Sequence, residues 1–210
     1  MRICLYGSGS TEIDKIYTDE AYKLGRMIAE NGHSLVFGGG DTGMIGVCAQ
    51  GVHDNNGKTL GIAPKWMRNF EPLCDECNEF LYVDSMDERK NEFLNNSDAF
   101  IITPGGIGTL DEFFEIITLK KLKTHDKPII VLNIYHFFDT MLKMIDEMNE
   151  KGFLYKQESL FETVTDLDEA FKYFNEWTSQ FEIVKASAGA LVKRKFWCWK
   201  LKKKQWYDDK

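Results

Sequence analysis

Three glycine-rich turns, each placed directly after a short aliphatic run, constrain this chain more than any other feature. Residues 3–6 run into Gly7-Ser8-Gly9-Ser10, residues 34–37 into Gly38-Gly39-Gly40-Asp41-Thr42-Gly43, and residues 99–103 into Pro104-Gly105-Gly106-Ile107-Gly108-Thr109. Further apolar runs lie at 59–63, 80–83 and 128–132. Runs of this length, bounded by turn residues, read as buried strands. Helical periodicity fills the intervals at about residues 16–31, 43–56, 86–96, 110–123 and 137–151, and a last helix is expected at about 167–178. Alternation at this spacing means βαβ units. The expected fold is therefore α/β, a single Rossmann-like domain whose parallel sheet is flanked by helices on both faces. Ligands in such folds bind beyond the carboxyl ends of the strands, which is where all three turns fall.

The chain of 210 residues is enough for one such domain and cramped for two. The first strand begins at Arg2, which leaves no room for a signal peptide, and no run reaches eighteen apolar residues, so a cytoplasmic protein is expected. The net charge of −7 is uneven: residues 185–210 hold nine Lys or Arg against Asp208 and Asp209. The acidic remainder repels polyanions, so nucleic acid is not expected as a partner of the domain, although backbone donors can still hold a small phosphate. The five cysteines are read as reduced thiols. Cys74 and Cys77 form a C-x-x-C pair without a histidine to complete a zinc set; metal or redox use stands against two thiols in an irregular connection.

Glycine at strand ends lets backbone N–H groups approach an anion closely, while tight turns alone are the alternative explanation. Neither standard phosphate motif fits. The chain lacks G-x-x-x-x-G-K-[ST], and Gly7-x-Gly9 lacks both a third glycine and an acidic residue at the end of the second strand. The turn after the fifth strand is the strongest candidate, with Thr109 expected to cap the next helix and Gly105, Gly106 and Gly108 exposing its first-turn donors.

Two charged side chains lie beside these turns. Arg89 falls on the helix stripe that should face protein, three residues after Met86 and four before Phe93; it needs an anionic partner there, or else forms a surface pair with Glu92. Glu112 completes a Thr109-x-x-Glu112 capping box, as Glu88 does with Ser85, yet it also stands at the mouth of the glycine turn. Capping and catalysis both remain open for it on pattern alone. Its helix is apolar on two faces, which points to cover on two sides, including a second subunit.

Gly38-Gly39-Gly40 with Gly43-Met44-Ile45-Gly46, then Met86-x-Glu88-Arg89-Lys90, then Pro104-Gly105-Gly106-x-Gly108-Thr109-x-x-Glu112 resemble the LOG ("Lonely Guy") family of cytokinin riboside 5'-monophosphate phosphoribohydrolases, formerly labelled lysine decarboxylases. The resemblance runs from the first strand to about Phe174. It implies a nucleotide-binding domain over residues 1–180; the basic, aromatic-rich extension over 181–210 is the part it does not explain. It implies Arg89 and Glu112 as the catalytic pair, and Glu88 and Lys90, with Met86, on the same wall. Residues 105–109 would hold the 5'-phosphate, and Gly7, Ser8, Gly39, Gly40 and Gly43 would complete the cradle. Family members usually have His where Asp87 stands and often an aromatic residue where Ile107 stands. The implied substrate is a nucleoside monophosphate, AMP or an N6-substituted AMP, cleaved to free base and ribose 5-phosphate by a homodimer without metal or organic cofactor. A nucleotide-binding or carrier protein of the same fold is the alternative. The extension mixes cations with aromatics; it suits its own acidic domain or a partner subunit, an anionic lipid surface, or nucleic acid.

Overall fold

A computed structural model describes residues 1–154 and 159–187, with backbone alone over 180–187. The strands are β1 Arg2–Tyr6, β2 Ser34–Phe37, β3 Lys58–Pro64, β4 Glu79–Val83, β5 Ala99–Ile102, β6 Ile129–Leu132 and β7 Glu162–Val164. Between and after them lie the helices α1 Lys15–Glu30, α2 Gly43–Asp54, α3 Met86–Asn96, α4 Ile107–Lys121, α5 Asp139–Glu150 and α6 Leu167–Ser187. All neighbouring strands pair in parallel, in the order β4-β3-β2-β1-β5-β6-β7. Met1–Ala170 forms one compact unit, and the described residues from Phe171 onward belong to a second. Most of the basic extension expected from residue 181 lies outside the described residues.

Strand parity sorts the core. Cys4 and Tyr6 of β1 join Val36, Ile62, Phe100 and Val131 in one cluster covered by Phe93 of α3, Phe113 and Ile117 of α4 and Met141 of α5. The alternate residues Ile3, Leu5, Leu35 and Phe37 are fully buried on the opposite face. Helix α1 buries Ala21, Leu24, Gly25 and Ile28, the i, i+3, i+4, i+7 stripe of a helix lying on a core, and it packs against α2. Each large aliphatic or aromatic side chain removed from water in this way contributes about 1.5–3 kcal/mol. Helices therefore flank the parallel sheet on both faces, as expected. Among the described residues, no helix is long and apolar enough to cross a membrane.

The order of the strands positions the site. From β1 the chain steps outward to β2, β3 and β4 on one side, then returns to β5 on the other, so the crevice between the ends of β1 and β5 is the topological switch point. Tyr6 is level with Ile102, and the two turns that follow are joined by the Ser8 N–H donating to Pro104 O at 3.1 Å. The seventh strand and the 3-10 turn Lys65–Asn69 are additions to the sequence reading.

Thr109 is a correction. Helix α4 begins at Ile107 with Gly106 at its N-cap and no side-chain cap, so Thr109 sits inside the first turn and Glu112 lies deeper than a capping box allows. The steric reason is local: Thr109 is 4% exposed and packs against Gly105, so its hydroxyl is not free to cap from outside the helix. Ser85 does cap α3, accepting from the Glu88 N–H at 3.1 Å, while the Glu88 carboxylate accepts from the Asp84 N–H at 2.8 Å.

Candidate active site

A pocket of about 290 Å³ opens at the switch point. It is lined by Gly7, Ser8 and Gly9 after β1, Gly38 after β2, Met86 and Arg89 of α3, and Gly106, Gly108, Thr109, Asp111 and Glu112 of α4 with its leading turn. Leu5, Ile45, Met67 and Glu71 complete the wall.

Arg89 is held from beneath. Its Nε donates to Ile62 O at 3.0 Å and its Nη2 to Gly38 O at 3.2 Å, carbonyls at the level ends of β3 and β2. The guanidinium also lies over the Phe93 ring, 5.2 Å from its centroid, and Nη1 approaches Met86 Sδ at 4.0 Å. At 8% exposure this cation is compensated by carbonyl dipoles and a π face, and it forms no ion pair among the described residues. The surface pair with Glu92 does not form: Glu92 Oε2 accepts from Asn96 Nδ2 at 2.9 Å. Fixed on one side only, the guanidinium keeps donor capacity for an anion in the pocket.

Glu112 lines the pocket on α4, less than two turns from the helix N-terminus. Desolvation pushes its carboxyl up to about 7, against the opposing pull of Arg89; Asp111 and Glu115 add to the rise and Lys90 reduces it. A carboxyl group poised near neutrality in a cleft is placed for acid–base or charge-stabilising work. Ahead of it, the first turn of α4 has no side-chain cap, and a Cβ on Gly106 or Gly108 would meet no protein atom within 4 Å. The helix N-terminus is therefore open to the pocket, with its donors and dipole directed at whatever enters.

Six expected site residues, Gly39, Gly40, Gly43, Glu88, Lys90 and Gly105, are not among those that line the pocket. The Lys90 ammonium, not itself in the lining, binds Glu115 Oε2 at 2.5 Å and the lining residue Asp111 through Oδ2 at 3.3 Å, tying α3 to α4. Glu88 caps the turn before α3, and Gly105 packs on Thr109. Gly39, Gly40 and Gly43 also lie off the lining. Gly39 O accepts from the Cys74 N–H at 2.8 Å, and Gly40 bridges Leu73. Gly43 crosses the backbone of Ser8 and Gly9, where Thr42 Oγ1 donates to Gly9 O at 2.7 Å. Met67 and Glu71 escaped the sequence reading because their segment has no strand or helix period. Gly38 was read as part of a turn, but not as the residue whose carbonyl holds Arg89.

Comparison with known proteins identifies the family and the fold. The family model described as "Possible lysine decarboxylase" matches residues 45–174. The chain is 38% identical over 153 residues to the cytokinin riboside 5'-monophosphate phosphoribohydrolase LOG2 of Arabidopsis thaliana, covering 73% of this chain and 72% of that protein. It is 39% identical over 153 residues to the cytokinin riboside 5'-monophosphate phosphoribohydrolase LOG of Oryza sativa subsp. japonica, covering 73% and 63%. Among solved structures, the molybdenum cofactor carrier protein of Chlamydomonas reinhardtii superposes with a TM-score of 0.64 at 19% identity, covering 85% of this chain and 98% of that one. The molybdenum cofactor binding protein of Rippkaea orientalis gives 0.65 at 22%, covering 84% and 96%. At these identities the two structures share the fold alone.

Proposed function

On the premise that this chain belongs to the LOG family of phosphoribohydrolases, we propose that it hydrolyses the N-glycosidic bond of AMP or an N6-substituted AMP, releasing the free base and ribose 5-phosphate. The observation that carries this reading is the Glu112 carboxyl, raised to about 7 in a pocket that it shares with Arg89 and the uncapped N-terminus of α4.

Each part has a physical role. The N–H groups of the first turn of α4, opened by Gly106 and Gly108, bind the 5'-phosphate dianion, and this remote affinity positions the ribose. Cleavage of the C1'–N9 bond builds positive charge on the sugar and negative charge on the departing base. Ionised Glu112 stabilises the oxocarbenium-like ribose or orients the attacking water, and Arg89 orders the phosphosugar or neutralises developing negative charge. Lys90 acts as a positioning residue, holding α3 and α4 together through Asp111 and Glu115.

Incubating the purified protein with AMP and N6-substituted AMP and separating the products chromatographically tests the proposal; free base together with ribose 5-phosphate is the expected result. Tight AMP binding without base release would instead support a carrier role for the same pocket. A homodimer belongs to the proposal: Ile107, 88% exposed beside the pocket, and Leu122, 66% exposed at the far end of α4, are apolar groups suited to cover by a second subunit. Light scattering at twice 24.3 kDa is expected. Deleting residues 185–210 is expected to leave AMP affinity unchanged, because the phosphate turn lies upstream; the extension then contacts a surface or partner, not the nucleotide.

A further inference from the structure

Besides Glu112 and the Lys90-bound Asp111, the pocket contains a third carboxylate, which the hydrolytic step does not employ. Glu71 lies between β3 and β4, half-buried, and lines the pocket with Met67. Backbone bonds fix its position on both sides. The Glu71 N–H donates to Met67 O at 3.1 Å, and just beyond it the Asp41 N–H donates to Pro72 O at 3.1 Å. The Glu71 carboxylate itself makes no hydrogen bond or ion pair among the described residues. A carboxylate partly withdrawn from water needs donors, and here the ligand is left to provide them.

The sheet edge sets the scale. Glu71 Oε1 lies 3.8 Å from the place of a Cβ on Gly40, just past the end of β2. Helix α4 follows β5, so the order β2-β1-β5 puts two inter-strand spacings, about 10 Å, between Glu71 and the phosphate turn. A nucleoside monophosphate anchored at α4 directs its sugar past Glu112 and Arg89 and its base toward Met67, Met86 and Glu71. The thioethers suit a planar ring, and the carboxylate can only accept. A 6-aminopurine offers an exocyclic N–H, which survives one N6 substituent and is lost with two. A 6-oxopurine presents lone pairs at that position.

Resting on the nucleotide reading above, we propose that Glu71 selects 6-aminopurine nucleotides, unsubstituted or singly substituted at N6, by accepting a hydrogen bond from the exocyclic N–H. The other expected contacts, to phosphate and sugar, are common to all these nucleotides. Discrimination therefore belongs to the base end of the pocket.

The test is calorimetric titration with AMP, N6-methyl-AMP, N6,N6-dimethyl-AMP and ribose 5-phosphate, using the full Glu112→Gln chain so that ligand is not consumed, with and without Glu71→Ala. With Glu71 present, AMP and N6-methyl-AMP are expected to bind about tenfold or more tightly than the dimethyl compound, as for a charge-assisted hydrogen bond. Glu71→Ala should weaken the first two by that factor and leave the dimethyl compound and ribose 5-phosphate unchanged. An unaltered ratio of N6-methyl to N6,N6-dimethyl affinity, or an equal loss for ribose 5-phosphate, overturns the inference. Failure of base release by the wild-type chain would remove the hydrolase reading while leaving this binding result to stand or fall by itself; absence of nucleotide binding would overturn both.

Discussion

The turns after β2 and β5 look alike in sequence and differ in what their glycines serve. After β2 the glycines serve the protein. A Cβ on Gly38 would strike the Arg89 guanidinium, one on Gly39 would meet the Phe80 ring at 2.5 Å, and Gly43, at φ +65°, lies 2.5 Å from Gly9 C by the same measure. After β5, Gly106 and Gly108 face nothing within 4 Å, and neither has a positive φ. One turn is a packing device that fixes Arg89 and the start of α2; the other keeps space open at a helix N-terminus. Glycine content does not separate a phosphate turn from a packing turn, whereas the surroundings of the missing Cβ do.

The largest effect is expected from Gly43→Ala. An L side chain at φ +65° is strained, and its Cβ is directed into the backbone of Ser8 and Gly9 rather than into a flexible side chain. A loss of about 3 kcal/mol or more is expected, enough to leave a marginal domain largely unfolded. Urea unfolding followed by circular dichroism measures it. A loss below about 1 kcal/mol would make this turn as permissive as its counterpart and would erase the contrast.

Glu112→Gln sharpens the other side of the comparison. The amide preserves shape and removes the group that acts on the ribose, so base release should fall roughly 100-fold or more while AMP affinity is largely retained. Kinetics and calorimetry on the same preparations separate the two quantities. An unchanged rate would confine the open turn to binding and remove Glu112 from the mechanism.

Gly108→Ala tests the open turn directly. Alanine favours a first-turn helical position, so stability should rise by about 0.5–1 kcal/mol. Its methyl group enters the space assigned to phosphate, and affinity for AMP and for ribose 5-phosphate should fall about tenfold. The same substitution type therefore damages the fold in one turn and the site in the other. Equal affinities for wild type and variant would move the phosphate away from α4.

Most of the fold was legible because five strands are apolar runs largely buried inside the sheet, three of them ending in glycine-rich turns, and β4, though at an edge with only Val83 buried, still carries the apolar run 80–83. The seventh, Glu162–Val164, is three residues long at an edge and has only Val164 buried, so it leaves no aliphatic signature. The start of α4 was misread because Thr109 resembles a cap, whereas Gly106 takes that position and Thr109 turns inward. Arg89 was read as needing an anion; carbonyls of two separate strands meet part of that need, and strand-to-strand register is not written in one segment. Glu71 and Met67 were invisible for a related reason. Only the bridge between Gly40 and Leu73 brings that aperiodic segment back over the end of β2.

The smallest effect concerns the proton on Glu112, beside the open turn. Folding raises this carboxyl from 4.5 to about 7, chiefly by desolvation, so the folded state binds the proton more tightly than the unfolded chain does. The sign follows from linkage: the group's contribution is most favourable below its unfolded value and is lost progressively as pH rises toward its folded value. Glu112→Gln lacks this dependence. The variant should therefore gain stability relative to wild type between pH 5 and pH 8, by about 1 kcal/mol once the full shift is discounted for a pocket open to solvent. Parallel denaturation curves at the two pH values measure the difference. A stability difference independent of pH would mean that Glu112 is solvated like a surface carboxylate. The enclosed, acid–base-competent site at the open turn would then lose its physical basis, even with the phosphate position intact.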